Sequence, residues 1–173
     1  MNIETVTIKL NAIRNGDKEA FEELYAGLHT PVYTVIYRIM WDKSVSEDVL
    51  QDVFIKIYLS PPEPTIKNPR AYIFQMARNL AIDNKRKQAR NTPLDETEEP
   101  AHRPLDGLPL RMDIENALKN LSEQDCQIVT LHVIGELKFR EISETMKLPL
   151  GTVLWRYQKA ISKLQKLLSG GTP

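Results

Sequence analysis

The chain has 173 residues, no formal net charge and 42% hydrophobic content, which suits one or two globular domains and excludes wholesale disorder. A single cysteine, Cys126, excludes an internal disulfide and any multi-cysteine metal site. The opening MNIETVTIKL lacks a basic segment followed by an apolar one, and no apolar run nears the roughly 20 residues that span a bilayer. Neither a signal peptide nor membrane insertion is expected, and the expected location is cytoplasmic.

Hydrophobic spacing predicts an all-α protein: two small helical domains joined by a flexible linker, the second containing a helix-turn-helix. A first amphipathic stretch, residues 5–14, stops at Asn15-Gly16. Asp17 then caps a helix containing Ala20, Phe21, Leu24 and Tyr25. Thr30-Pro31 reads as a fresh N-cap and first helical residue. The helix it opens places Val32, Val35, Ile36 and Ile39 on one face.

Ser44 and Glu47 have capping-box spacing. The helix they start runs to Leu59, with Val49, Leu50, Val53, Phe54 and Ile57 apolar and Glu47, Asp48, Gln51, Asp52 and Lys56 polar. Pro61, Pro62 and Pro64 end it. Asn68-Pro69 opens another helix, with Tyr72, Ile73, Met76, Ala77, Leu80 and Ile82, which runs into the basic tract 85–90.

Residues 91–110 combine four prolines with an acidic cluster and show no periodicity. They mark a linker between domains 1–90 and 111–173. Ile114, Ala117, Leu118 and Leu121 line the next short helix. Ser122 caps another, whose buried side is Cys126, Val129, Val133 and Ile134, and Gly135 ends it. Phe139, Ile142 and Met146 face inward on a short helix. After a turn over residues 147–150, a long helix from Gly151 carries Val153, Tyr157, Ile161, Leu164 and Leu168 on one side and stops at Gly170-Gly171.

The zero net charge hides segregation. Residues 1–65 carry 6 basic and 10 acidic side chains; residues 66–90 carry 7 and 1; residues 91–116 carry 2 and 7; residues 117–173 carry 8 and 5. Three features follow. In the helix-turn-helix over residues 139–168, Thr152, Trp155, Arg156 and Lys159 stand near the start of the second helix, where such a motif meets base edges. Arg140 precedes them, and Lys163 and Lys166 lie further along, where phosphates would be met. A plain helical hairpin would show the same pattern.

The second feature is the basic segment with Lys67, Arg70, Arg78, Lys85, Arg86, Lys87 and Arg90 around Tyr72 and Phe74. Cations neutralise phosphates and aromatic rings stack on unpaired bases; the alternative is a solvated helix with its rings in the core. The third is the face with Asp48, Gln51 and Asp52, which suits a basic protein partner or is merely solvated. Catalytic constellations are missing. His29, His102 and His132 share no ligand spacing, no phosphate-binding glycine loop occurs, and Cys126 sits at an apolar helical position. No enzyme activity, metal or cofactor is expected.

Four stretches in order resemble the extracytoplasmic-function (ECF) group of bacterial RNA polymerase sigma factors, in the sigma-70 family: GDKEAFEELY, SEDVLQDVFIKIY, NPRAYIFQMARNLAIDNKRK and EISETMKLPLGTVLWRYQKAISKL. The resemblance covers roughly residues 10–168. It implies an alternative sigma factor that binds core polymerase, reads −10 and −35 promoter elements and is held in check by an anti-sigma factor. A DNA-binding regulator that does not itself direct initiation is the alternative.

By position, the resemblance assigns Asp48, Gln51, Asp52, Phe54 and Tyr58 to the β′ clamp helices of the polymerase. It assigns Lys67, Asn68, Tyr72, Phe74, Arg78, Asn79, Lys85, Arg86 and Lys87 to the −10 element, with Arg78, Asn79 and Asp83 matching an RN-x-x-x-D pattern. It assigns Arg140, Thr152, Trp155, Arg156, Lys159 and Lys163 to the −35 element, in a domain that also meets the β flap. The chain departs from the family at Leu154, Trp155 and Gln158, where polar or basic residues are usual. It departs again at Met146-Lys147, where a glycine is expected.

Overall fold

A computed structural model describes residues 1–91 and 109–169. Eight helices and no strand occur among them. The chain divides into two compact units, Met1–Thr97 and Glu98–Pro173. The acidic core of the expected linker and the Gly170-Gly171 stop lie outside the described residues.

The first unit holds α1 (Ile3–Arg14), α2 (Lys18–Met40), α3 (Lys43–Leu59) and α4 (Pro69–Asn91). Asn2 caps α1 by accepting from the Thr5 amide at 2.8 Å, and Gly16, at φ +88°, makes the turn into α2. Asp17 caps α2 as expected, accepting from Ala20 N at 3.0 Å. Asn68 caps α4, accepting from Ala71 N at 3.0 Å.

Two expected helix starts are displaced. Thr30-Pro31 does not restart the chain; α2 runs unbroken through Pro31. An interior proline costs about 3 kcal/mol, but Ala20, Leu24, Leu28, Val32, Val35, Ile36 and Ile39 form one stripe that is buried on both sides of it. Each such side chain gains roughly 1.5–3 kcal/mol on burial, so keeping the stripe in register outweighs one lost hydrogen bond. Ser44 is not the cap of α3. Trp41 ends α2 in the left-handed region at φ 56°, which leaves Asp42 extended and accepting from Val45 N at 2.9 Å. A carboxylate at that end also complements the helix dipole.

The core is where α2 packs on α1, α3 and α4. The predicted apolar set of α3 is buried in full, and Ile73, Phe74, Ala77 and Ala81 of α4 close the core from the other side. α4 extends through the whole basic tract to Asn91, the first residue of the expected linker.

The second unit holds α5 (Pro109–Lys119), α6 (Glu123–Val133), α7 (Phe139–Met146) and α8 (Leu150–Leu168), with α8 packed against the other three. Ser122 caps α6, accepting from Asp125 N at 3.2 Å. Cys126 and Val129 are buried as expected, but Val133 and Ile134 are exposed. The core positions are taken instead by Ile128, Leu131 and Leu137. α6 is enclosed on nearly all sides over residues 125–131, so its last apolar residues emerge where the chain turns away.

That turn depends on Gly135. Its amide donates to Thr130 O at 3.1 Å, and a Cβ there would lie 2.5 Å from the Leu131 carbonyl oxygen. α7 ends on Lys147 in the left-handed region at φ 54°, where a glycine was expected. Leu148 N then donates to Ser143 O at 3.0 Å, and the Ser143 hydroxyl donates to Leu148 O at 2.6 Å. These bonds satisfy helix-end groups and set the turn into α8.

Candidate functional site

Three surfaces carry the predicted residues. On α3, Asp48, Gln51 and Asp52 are exposed and one helical turn apart or adjacent, so they share a face. Phe54 is not on that face; it is buried, with its ring 4.7 Å from Tyr25 and 6.3 Å from Phe21. Tyr58 is partly exposed and packs edge-on against Phe21 at 5.0 Å. Phe54 therefore braces α3 against α2 and can act only through that packing. Phe21 and Tyr25, assigned no role from sequence beyond the helix, complete this aromatic cluster, and Ile55 and Leu59 leave apolar surface beside it.

Behind the α2–α3 corner, the Tyr33 hydroxyl is buried and has no hydrogen-bond partner among the described residues. Burial pushes its pKa up, as do the Glu47 and Asp42 carboxylates, against the opposing effect of Arg38.

The second surface lies along α4. A groove of about 400 Å³ between α3 and α4 brings together Tyr72, Asn79 and Asp83 of α4 with Lys56 of α3. A neighbouring recess of about 460 Å³, sharing Lys56 and Asp83, adds Asp52, Arg86, Lys87 and Arg90. Tyr72 is partly exposed, whereas Phe74 is fully buried. The expectation that Phe74 offers a stacking ring is overturned: it lies among the core residues of α4, with the Arg70 guanidinium 5.5 Å from its ring centre. Positions 72 and 74 are two apart, so a helix turns them to different sides.

Lys67 is exposed, and the Asn68 side chain is engaged in capping α4. Arg78 and Lys85 are half-buried, while Asn79, Arg86 and Lys87 are exposed. Arg86 lies 4.0 Å from Asp83 with both side chains well solvated, a pairing worth little.

The third surface is the start of α8. Trp155 is 57% exposed and Leu154 38%; Lys159, one turn on, holds its ammonium 5.0 Å from the Trp155 ring centre. Arg140 is exposed on α7 and Thr152 is half-buried. Arg156 departs from expectation: it is half-buried and pairs with Asp125 of α6 at 2.8 Å. Lys163 donates to Asn120 O at 2.5 Å.

Residues that sequence reasoning left out hold this unit in shape. His132 of α6 stacks on Phe139 of α7 at 4.2 Å and meets Tyr157 of α8 edge-on at 4.9 Å. Its Nδ1 lies 2.9 Å from Leu137 O. An apolar spacing shared by Phe139 and Tyr157 was visible in the sequence, but nothing there placed a histidine between them. Among the described residues, no group of three His, Cys, Asp or Glu side chains is arranged to hold a metal ion, and no helix is long and apolar enough to cross a membrane.

Comparison with known proteins agrees with this division. Residues 24–91 match the family model for Sigma-70 region 2, and residues 111–164 match that for Sigma-70, region 4. The ECF RNA polymerase sigma factor RpoE of Cereibacter sphaeroides is 30% identical over 112 residues, 62% of this chain and 62% of the relative. The aligned part thus spans less than two thirds of that relative's length. Among solved structures, CnrH in complex with the cytosolic domain of CnrY is similar with a TM-score of 0.70 at 18% identity, over 97% of this chain and 99% of that one. The sigma factor RpoE of Bartonella quintana, solved with the anti-sigma factor NepR, gives 0.69 at 20% identity, over 88% and 98%. At those identities the two structures speak to fold. The two family models together cover most of the chain, in order and one per unit, and with them the chain belongs to the sigma-70 family.

Proposed function

We propose that this chain is an alternative sigma factor that binds core RNA polymerase and directs promoter-specific initiation in the bacterial cytoplasm. The carrying observation is that the two sigma-70 regions occur in order, and that the first sets an exposed acidic face on α3 beside an exposed basic stretch of α4. Asp48, Gln51 and Asp52 would meet basic groups of the β′ clamp helices, since phosphates would be repelled there. Tyr72 and Asn79 in the α3–α4 groove suit capture of an unstacked −10 base, with Arg86 and Lys87 on the phosphates. The α7–α8 pair would read the −35 element and meet the β flap.

None of these roles needs a catalytic group; the chemistry of RNA synthesis belongs to the polymerase. The similar solved proteins were captured with the cytosolic domain of CnrY and the anti-sigma factor NepR, which supports an anti-sigma partner for this chain as well.

Run-off transcription with core polymerase tests the reading. A promoter-dependent transcript that needs this chain is expected. DNA binding without any transcript would sink it and favour a sigma-like regulator that does not direct initiation. The withdrawn Arg156 and the apolar Leu154 and Trp155 are the observations on the side of that second reading.

A further inference from the structure

We propose that Trp155 is a specificity-determining residue: its indole, with Leu154 beside it, reads the 5-methyl groups of thymine in the −35 element. The inference rests on the sigma-factor reading above and names what its −35 surface recognises.

In a helix-turn-helix, the first turns of the second helix face the base edges of the major groove. The side chain there decides the base. Arginine pairs with guanine through two hydrogen bonds, glutamine pairs with adenine, and apolar groups pack on the thymine methyl, which no other base offers in that groove. The arginine of this helix, Arg156, is pinned to Asp125 at 2.8 Å, and its Nε is buried without a partner of its own. The usual reader of guanine is therefore turned into the unit.

The exposed positions on the same turns are Leu154, Trp155, Gln158 and Lys159. Gln158 follows Leu154 by four residues and Lys159 follows Trp155 by four, so each pair shares a strip of the helix. The Lys159 ammonium lies 5.0 Å from the indole centre, which limits the freedom of the ring and keeps a cation beside it for the phosphate backbone. α8 carries four basic and no acidic side chains, so the polyanion it would approach is matched by charge. A large apolar ring held by a cation, next to a glutamine, fits A·T pairs better than G·C pairs.

The test uses holoenzyme made from the full chain and core polymerase. Preferred −35 sequences are selected from a randomised pool, and each enriched thymine is then replaced by deoxyuridine, which removes only the methyl. Wild-type holoenzyme should lose about fourfold in affinity at one or two positions, the worth of one methyl-sized group taken out of water. Trp155→Ser should bind thymine and deoxyuridine templates alike, and Trp155→Phe should keep part of the preference. Because each variant is its own reference, a general loss of binding does not mimic the result. An equal deoxyuridine penalty in wild type and Trp155→Ser, or enriched elements without thymine, overturns the contact. Transcription that depends on the −10 element with no −35 enrichment overturns the contact but leaves the sigma-factor function standing. Absence of any promoter-dependent transcript overturns that function instead.

Discussion

α4 and α8 are both basic helices expected to meet DNA, yet they present their charge in opposite ways. Residues 66–90 hold seven basic side chains against one acidic, and Arg86, Lys87 and Arg90 project from the end of α4. α8 has four basic side chains, but Arg156 is spent on Asp125, Lys163 on the Asn120 carbonyl, and Lys159 lies over Trp155. Its exposed start is apolar. Free surface cations give affinity that is long-ranged, sequence-blind and lost in salt; apolar contacts give little at a distance but discriminate once docked. On the proposed reading, the first unit would serve capture and the second selection.

The largest expected effect strikes the first half of that contrast. Arg86→Ala combined with Lys87→Ala should weaken promoter binding on the order of tenfold or more at moderate salt. It should also flatten the dependence of log affinity on log salt by about 1.4–1.8, from two lost phosphate contacts. Lys159→Ala should change that slope by at most about one. Affinity measured over a salt series decides it, and an unchanged slope in the double variant would break the comparison.

Asp125→Ala probes the second half. The Arg156 guanidinium would lose its acceptor while half-buried, which should cost the C-terminal unit about 1–3 kcal/mol. Asp125→Asn, which keeps an oxygen acceptor, should cost less. Chemical unfolding of the two variants gives the ranking. If Arg156 is then free to reach the groove, selection by the Asp125→Ala holoenzyme should move toward guanine; an unchanged preference would mean that the ion pair serves stability alone.

Much of this was legible in the sequence, because helices declare themselves through spacing and caps. Asp17, Asn68 and Ser122 cap where expected, and the apolar set of α3 is buried as read. What failed were decisions between a local signal and a distant one. Pro31 looks like a start until the stripe from Ala20 to Ile39 is seen to pack as one face. Ser44 looks like a cap until Trp41 turns left-handed and hands the position to Asp42. Arg156 looks exposed until Asp125, 31 residues away, takes it. Phe74 looks like a stacking platform until the packing of α4 claims it. For Arg156 and Phe74 the deciding partners lie on other elements, so spacing along one helix carries no trace of them.

Lys147 is the smallest lever and the most local. It ends α7 at φ 54°, a conformation that costs a residue with a Cβ roughly 1–2 kcal/mol and glycine almost nothing. The turn is held by backbone and Ser143 bonds to Leu148, none of which uses the Lys147 side chain. Lys147→Gly should therefore remove the strain at the price of a more flexible unfolded chain, for a net gain of about 0.5–1 kcal/mol, read as a higher urea midpoint. The geometry of the turn should survive, because the same bonds close it, so the −35 preference should stay as it was. A lower midpoint would show that the lysine stem packs on the turn and contributes more than its backbone strain removes. A changed preference with an unchanged midpoint would locate the lysine in the promoter contact itself, and would weaken the claim that the second unit selects through Trp155 rather than through charge.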